Sequence, residues 1–295
     1  MSTADAALSD TTVNTVVEIA REAGEMIRRG FHKNWPYRTP FAAASTASEY
    51  DVKQRTDPVT DTDRAVEAHI TRRLRATQPP SHRILGEESY DGRVESLHLT
   101  ADSPPTWCID PIDGTANFVH HIPHCAVSIG LAVGGRPQLG VIYNPILDEM
   151  FTARVGGGAY LNGGRIYCSG VQQLPDACVV TEHGSDRSQA KVDLMVEMVR
   201  AILRSDVQAV RCTGSAALNL AYVACGRFDV YVEWGPYPWD IAAGKVIVEE
   251  AGGVCLMPHG APFVLHGRGI LATNRFLVQR LRFRDGELAS NTGIR

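Results

Sequence analysis

The sequence predicts a layered protein of mixed class, α+β in its first half and α/β in its second. Two patterns predict this: short strand-like runs separated by turns fill the first half, and strands alternate with amphipathic helices beyond residue 156. A length of 295 residues fits one large domain or two packed halves. Apolar residues make up 44% of the chain and charged residues 21%, a mixture that excludes disordered, collagen-like and coiled-coil proteins.

In the first half, a helix is predicted from Asp10, the expected cap, because valines recur at helical spacing after it. Residues 33–54 contain prolines and many small polar residues, which predicts an exposed loop that serves either as a lid or as a plain surface insertion. A second helix is predicted after Asp61. Short strands follow, at 83–86, 107–109, 126–133, 139–143 and 150–153.

The second half opens with three glycines at 156–158, which predict a hairpin turn because the Gly-Lys-Ser/Thr ending of a phosphate loop is missing. Beyond this turn, the predicted strands lie at 178–181, 207–210 and 228–233, and the predicted helices at 191–203, 215–225 and 239–251. The predicted division is a flexible N-terminal tail at 1–9, an α+β half at 10–155, an α/β half at 156–285 and a C-terminal tail at 286–295.

Charge and cysteine content limit the partners and the compartment. The formal net charge is −4, whereas nucleic-acid and anionic-membrane binders need a basic face, so neither partner is expected. Seven cysteines form no Cys-x-x-Cys pair, which favours free thiols in the reducing cytoplasm over a disulfide scaffold. We expect no secretory signal and no membrane span, since the longest apolar run falls far short of about 20 residues.

The most informative segment is WCIDPIDGT at 107–115. A strand ends at Asp110, the following proline disfavours helix, and Gly114 and Thr115 can open a short helix. Two carboxylates, Asp110 and Asp113, therefore lie beside unpaired amide groups, an arrangement suited to Mg²⁺ or Mn²⁺ and to a phosphate. The alternative is that both aspartates only shape the turn and cap the helix.

Further acidic residues follow other predicted elements. Glu87 and Glu88 end the strand at 83–86, where adjacent side chains face opposite ways, so only one of them can enter a site. Asp240 lies at the start of the helix at 239–251. Three aspartates surround the start of the second helix, at positions Asp57, Asp61 and Asp63.

With these segments in view, the sequence resembles the inositol monophosphatase family, in the superfamily that also holds fructose-1,6-bisphosphatase and the bisphosphate nucleotidases. The resemblance covers residues 12–281 and includes two long signature segments, at 107–120 (WCIDPIDGTANFVH) and 239–253 (WDIAAGKVIVEEAGG). Shorter blocks support it at 57–63, 86–89 and 214–217. The resemblance implies a layered αβαβα sandwich of the sugar-phosphatase type.

The resemblance also implies roles for individual residues. The implied metal ligands are Glu87, Asp110, the carbonyl of Ile112, Asp113 and Asp240, with Asp110 shared by two ions. The implied catalytic residues, which position and activate the attacking water, are Glu87, Thr115 and Asp63. The implied substrate contacts are Asp113, Gly114, Thr115, Gly214, Ser215, Ala216, Glu233 and Asp240.

The function implied by the resemblance is Mg²⁺-dependent, Li⁺-inhibited hydrolysis of inositol monophosphate to inositol and phosphate, by a cytoplasmic homodimer. Two or three Mg²⁺ ions per subunit are expected, with Mn²⁺ as a substitute. The alternatives are a phosphatase for sugar, histidinol or nucleotide (bis)phosphates, and a catalytically silent regulatory protein on the same fold. Residues 214–240 offer only Arg227 as a cation and contribute Glu233, which favours hydroxyl groups over a second phosphate. Tyr237 stands where several relatives carry histidine near the substrate.

Overall fold

The computed structural model describes residues 9–33, 50–54, 57–281, 283–284 and 287–288. Helix α1 spans Asp10–Lys33, as its valine spacing predicts. Its cap is Ser9 rather than Asp10: the Thr12 N–H donates to Ser9 Oγ at 3.1 Å, while Asp10 lies inside the helix and pairs with Arg154 at 3.0 Å. No helix in the described ranges is both long and apolar enough to cross a membrane.

The predicted loop at 33–54 is wrong at its end. Strand β1, Tyr50–Gln54, pairs antiparallel with β2, Asp57–Thr60, because its β-forming residues find a partner strand directly after them. Residues 34–49 of that loop lie outside the described residues. Helix α2 spans Asp61–Thr77, and Thr60 caps its start: the Thr60 hydroxyl accepts the Thr62 N–H at 3.1 Å.

A seven-stranded sheet forms the first β layer. In chain order its strands are β3 (Arg83–Gly86), β4 (Thr106–Asp113), β5 (Ala126–Val133), β6 (Arg136–Asn144), β7 (Glu149–Arg154), β8 (Gly158–Leu161) and β9 (Gly164–Arg165). Along the chain, β4 is preceded by a short helix, α3 (Val94–Leu97), and followed by another, α4 (Thr115–Val119). Only β3 and β4 are parallel. The seven-stranded sheet includes residues on both sides of the predicted division at 155/156. After the glycine turn, β8 pairs antiparallel with β7, so it belongs to the same sheet.

A five-stranded sheet forms the second β layer, in the order β11-β10-β12-β14-β13. The elements of this region are β10 (Cys178–Thr181), α5 (Gln189–Arg204), β11 (Ala209–Arg211), α6 (Ala216–Ala224), β12 (Val230–Trp234), α7 (Pro238–Glu250), β13 (Gly253–Leu256) and β14 (Gly269–Asn274). Strands β11, β10 and β12 are parallel, and β14 runs antiparallel to both of its neighbours. Strands β13 and β14 are absent from the sequence prediction. A last hairpin joins β15, Phe283–Arg284, to β16, Glu287–Leu288.

The layers follow the order that the family resemblance implies. Helices α1 and α2 cover one face of the seven-stranded sheet, α6 and α7 fill the space between the two sheets, and α5 packs on the outer face of the second sheet. The αβαβα sandwich is therefore confirmed. Helix α7 is apolar on nearly every side because it contacts both sheets.

Two glycines let α7 approach the seven-stranded sheet closely. A Cβ on Gly130 would lie 2.8 Å from the backbone N of Ala243, and one on Gly140 would lie 2.2 Å from its carbonyl O. Neither position has room for a side chain. A hydrogen bond of 3.2 Å from Ser128 Oγ to the carbonyl of Trp239 makes a second connection, and Ser128 is the cross-strand neighbour of Asp110. The start of α7 is thereby held against the end of β4.

Candidate active site

Strand β4 delivers the two aspartates of the signature segment. The ladder with β5 is interrupted between Asp110 and Asp113, where Pro111 removes a backbone donor. Gly114 follows with a φ of 89°, and a Cβ there would lie 2.9 Å from the carbonyl O of His124. The chain can therefore turn from β4 into α4 only because residue 114 is glycine.

Ten of the twelve predicted site residues line one cavity of about 380 Å³. They are Glu87, Asp110, Ile112, Asp113, Gly114, Thr115, Gly214, Ala216, Glu233 and Asp240. The other two, Asp63 and Ser215, are buried and contact this set from behind. Residues that lie more than 120 positions apart in the sequence are thus brought together at one place.

Asp110 lies at the centre of an uncompensated group of carboxyl groups. Its side chain is buried, and its Oδ1 has no hydrogen-bond partner among the described residues. Burial, followed by the charges of Glu87, Asp113 and Asp240, raises the pKa of Asp110 well above its usual range. A buried carboxylate oxygen without a donor, among other carboxylates, is the donor set that a hard divalent cation neutralises. The residues present therefore fit Mg²⁺ or Mn²⁺.

Asp240 completes this group from the first turn of α7. The N–H of Tyr237 donates to Asp240 Oδ2 at 2.7 Å. Burial and the nearby charge of Asp113 raise the pKa of Asp240 well above its usual range. Asp240 therefore adds a further carboxyl group to the set that a cation would neutralise.

Several donors converge on the carboxylate of Asp113. The N–H of Ala217 donates to its Oδ2 at 2.7 Å, and the Ser215 hydroxyl donates to the same oxygen. Burial nevertheless raises the pKa of Asp113 to about 6, against the lowering effect of these donors. Asp113 thus connects β4 to the start of α6.

Thr115 and Asp63 form a pair beside the carboxyl cluster. Thr115 Oγ1 lies 3.3 Å from Asp63 Oδ1 and 2.9 Å from the carbonyl O of Ile112. The other oxygen of Asp63 accepts the Thr60 N–H at 2.9 Å. Asp63 is 1% exposed, and this burial raises its pKa to about 6. Asp61, by contrast, is exposed and pairs with Arg64, and the side chain of Asp57 lies outside the described residues.

The predicted substrate side of the cavity is built by parallel strand ends. Strands β11, β10 and β12 are parallel and end at the same edge of the second sheet. Gly214 lies shortly after β11, Glu182 directly follows β10, and Glu233 is the second-last residue of β12. Ligands commonly bind at the carboxyl ends of parallel strands. Glu233 is buried, accepts the Tyr231 hydroxyl and has a pKa raised to about 8, chiefly by burial.

Several residues that line the cavity were not predicted from the sequence. The missed residues are Glu182, His183, Arg187 and Cys212. Arg227, the one cation of residues 214–240, does not line the cavity and pairs with Glu149 at 2.5 Å. It therefore supplies no clamp for a second phosphate. Arg187 lines the cavity from the segment after β10, and its guanidinium donates to the carbonyl O of Gly184 at 2.7 Å.

Tyr237 is held rigidly beside Asp240. Its ring stacks on Trp239 with a centroid distance of 4.6 Å, and the guanidinium of Arg268 lies 3.5 Å from the ring centroid. Arg268 also donates to the carbonyl O of Pro236 at 3.1 Å. The tyrosine ring is therefore held by an aromatic contact and by a cation–π contact.

Comparison with known proteins places this geometry in context. A model of the inositol monophosphatase family matches residues 9–288. Inositol monophosphatase 2 of Solanum lycopersicum is 43% identical over 267 residues, covering 90% of this chain and 94% of that protein. Inositol monophosphatase 1 of Homo sapiens is 37% identical over 269 residues, covering 90% of each. The solved structure of extragenic suppressor protein suhB from Bartonella henselae has a TM-score of 0.78 at 33% identity, and the match covers 91% of this chain and 96% of that one.

Proposed function

The chain belongs to the inositol monophosphatase family, and on that premise we propose that its acidic cavity hydrolyses inositol monophosphate to inositol and inorganic phosphate. The protein is an inositol-phosphate phosphatase, a phosphoric monoester hydrolase. The observation that carries the proposal is the buried Asp110 Oδ1, which has no donor among the described residues and lies in a cluster of carboxyl groups. Such a cluster is costly to bury unless a cation neutralises it.

We assign the metal-holding role to the side chains that converge at the end of β4. They are Glu87, Asp110, Asp113 and Asp240, together with the carbonyl of Ile112. When bound there, Mg²⁺ supplies Lewis acidity to the phosphoryl group and to the attacking water. The chain contributes the rigid placement of these ligands, since the bond from Ser128 to Trp239 ties the helix that carries Asp240 to β5, which pairs with the strand that carries Asp110.

Thr115 and Asp63 act on the attacking water in this proposal. Asp63 Oδ1, 3.3 Å from Thr115 Oγ1, is assigned as the acceptor of the Thr115 hydroxyl proton, so that Thr115 can take a proton from the attacking water as it passes its own to Asp63. Glu87, which lines the same cavity, orients the same water in this proposal. The backbone N–H groups of Gly114 and Thr115 precede the first bond of α4, from Phe118 N to Gly114 O, and are assigned to the phosphate oxygens.

Polyol recognition is assigned to the ends of the parallel strands. Gly214, Ser215 and Ala216 offer backbone groups at the start of α6, and Glu233 offers a carboxylate toward the same space. A carboxylate pairs well with ring hydroxyl groups, and a site built for hydroxyl groups discriminates strongly against substrates that lack them.

We extend the proposal to the cofactor and the cellular context on the basis of family membership. The resident cation is Mg²⁺, at two or three ions per subunit with Mn²⁺ as a substitute, and Li⁺ inhibits. The enzyme is a homodimer of the cytoplasm that binds neither nucleic acid nor membrane. Seven cysteines without a disulfide among them agree with a reducing compartment.

A second candidate function is favoured by Arg187. Its guanidinium lines the cavity on the substrate side and makes no ion pair among the described residues. A phosphate ester that carries a second anionic group, such as a sugar bisphosphate or a nucleotide, would find a cation there. We rank this candidate second because Glu182 and Glu233 line the same side, and acidic side chains there suit hydroxyl groups better than a second phosphate.

The test is a panel of phosphate esters assayed with Mg²⁺, with and without Li⁺. It includes inositol 1-phosphate, fructose 1,6-bisphosphate, histidinol phosphate, a 3′-phosphoadenosine nucleotide and p-nitrophenyl phosphate. We expect the highest kcat/KM on inositol 1-phosphate and no turnover after chelation of the metal. A preference for a doubly phosphorylated ester would favour the second candidate, and no turnover of any ester would favour a catalytically silent protein.

A further inference from the structure

We propose that Glu182 is a positioning residue that holds the substrate-facing loop 212–215 in its working geometry. This role rests on the proposed function. Glu182 directly follows β10, the middle of the three parallel strands, and is 7% exposed. Its carboxylate lines the cavity, but the mechanism proposed for hydrolysis gives it no part.

The carboxylate of Glu182 gathers the donors of the loop. Its Oε1 accepts the backbone N–H of Thr213 at 2.7 Å and of Gly214 at 2.9 Å. Asn219 Nδ2, on α6, donates to the same oxygen at 2.9 Å. The Cys212 thiol donates to Oε2 at 3.0 Å. One buried side chain therefore fixes three consecutive loop residues and the helix that follows them.

The loop is held from its other side as well. Asn117 Nδ2 donates to the carbonyl O of Thr213 at 2.7 Å and to that of His124 at 2.8 Å. Gly214 adopts a φ of 83°, and a Cβ there would lie 2.8 Å from the same Asn117 Nδ2. The loop thus passes between an acceptor, Glu182, and a donor, Asn117. These hydrogen bonds from both sides restrict the movement of the Gly214 backbone.

Both the charge and the shape of the Glu182 side chain are needed. Two backbone N–H groups converge on one oxygen, and hydrogen bonds to an ionised acceptor are about twice as strong as neutral ones. The neutral amide of a glutamine keeps one acceptor oxygen but offers an N–H₂ group where the Cys212 thiol donates. Loosening the loop moves Gly214, Ser215 and Ala216, the proposed polyol contacts, while the phosphoryl side at the end of β4 stays in place.

The experiment compares Glu182→Gln with a matched control, Glu250→Gln. Glu250 also accepts two loop amides, from Gly156 at 2.8 Å and Gly158 at 2.6 Å, but it does not line the cavity. KM and kcat are measured on inositol 1-phosphate and on p-nitrophenyl phosphate, which has no hydroxyl groups for the loop to bind. We expect Glu182→Gln to raise the KM for inositol 1-phosphate about tenfold and to change the KM for p-nitrophenyl phosphate by less than about twofold.

The control variant should leave both substrates unchanged. An unchanged KM for inositol 1-phosphate in Glu182→Gln would overturn the positioning role. Equal losses of kcat/KM on the two esters would overturn it as well, because a merely structural defect lowers the activity on both. A second measurement on the wild-type protein does not depend on whether the variant folds. Amide hydrogen exchange should be slow at Thr213 and Gly214 although both lie in a loop, and fast exchange there would also overturn the role.

The two measurements separate this inference from the proposed function. Absence of wild-type turnover on inositol 1-phosphate would refute the proposed function by itself. The exchange rates of Thr213 and Gly214 would then still decide whether Glu182 holds the loop.

Discussion

Replacing Asp63 with asparagine should make the enzyme nearly inactive and, at neutral pH, more stable. Asp63 is buried, and its pKa is raised to about 6 from 3.8. At pH 7.5 the ionised carboxylate therefore costs the folded state about 3 kcal/mol, at 1.36 kcal/mol per pKa unit. Asparagine removes that cost. It also loses hydrogen bonds of the capping box with Thr60, which we set at about 1.5 kcal/mol.

The expected net gain in the free energy of unfolding is about 1–2 kcal/mol at pH 7.5, or about 2–4 °C in Tm. The sign depends on pH. As pH rises from 4 to 6 the unfolded chain loses the Asp63 proton before the folded protein does, so the wild-type stability falls across this window. At pH 4 the gain should vanish, and the lost capping bonds should leave the Asp63→Asn variant less stable than the wild type.

Thermal and urea unfolding of the metal-free proteins at pH 4.5, 6 and 7.5 would measure this crossover, beside kcat at pH 7.5. We expect kcat to fall about 100-fold or more, since Asp63 holds the proton of Thr115. The control is Asp61→Asn, which alters an exposed aspartate in the same helical turn. A variant that is less stable by the same amount at every pH would refute the reasoning about buried charge. A near-normal kcat would refute the catalytic role.

Four further predictions test other parts of the site and the fold. Asp110→Asn should abolish turnover and the Mg²⁺-induced rise in Tm while the protein stays folded; an intact rise in Tm would show that Asp110 is not a shared ligand. Glu233→Gln should lower activity on inositol 1-phosphate but not on an aryl phosphate, and equal losses would assign Glu233 to the metals or the fold. Gly140→Ala should lower the free energy of unfolding by about 1–3 kcal/mol, because its Cβ would meet the Ala243 carbonyl at 2.2 Å, whereas Gly163→Ala, with no atom within 4 Å of its Cβ, should cost less and only through its positive φ. Light scattering should report a dimer at micromolar concentration, and a monomer would refute the homodimer.

The parts of the molecule that were predicted well are those that local sequence determines. The strand at Cys178–Thr181 and the helix after Asp61 were found because their signals are short-range: an apolar run, a cap and a helical period. Strand β1 was missed because its pairing with β2 is not visible in a segment rich in small polar residues. Strand β14 was missed although all six of its residues are buried, since a short apolar run beside glycines gives a weak signal.

The candidate site divides in the same way. Contiguous motifs led to the residues of β4 and to Asp240, and the pairing of Asp63 with Thr115 came from the family resemblance. Glu182 and Arg187 carry no motif, because their place in the cavity depends on which strands end side by side. Strand order is a property of the whole chain. The sequence offers one signal for Glu182, which is an acidic residue directly after the buried strand 178–181. This signal indicates a site only when the neighbouring strands in the sheet are known.

The contact between α7 and the two glycines, Gly130 and Gly140, bears on how such an enzyme can change over generations. The sheet that carries Asp110 and the helix that carries Asp240 approach each other at these glycines, where an added Cβ would meet the backbone of Ala243 and, at Gly130, also the Cβ of Ala242. Any side chain at either glycine would push the helix away from the sheet and so separate Asp240 from Asp110. We therefore expect selection against substitutions at both positions. The segment after β10 is less crowded, since a Cβ on Gly184 would meet only Lys191 Cε, at 4.0 Å. New substrates can therefore be explored on the second sheet while the chemistry of the first is inherited intact.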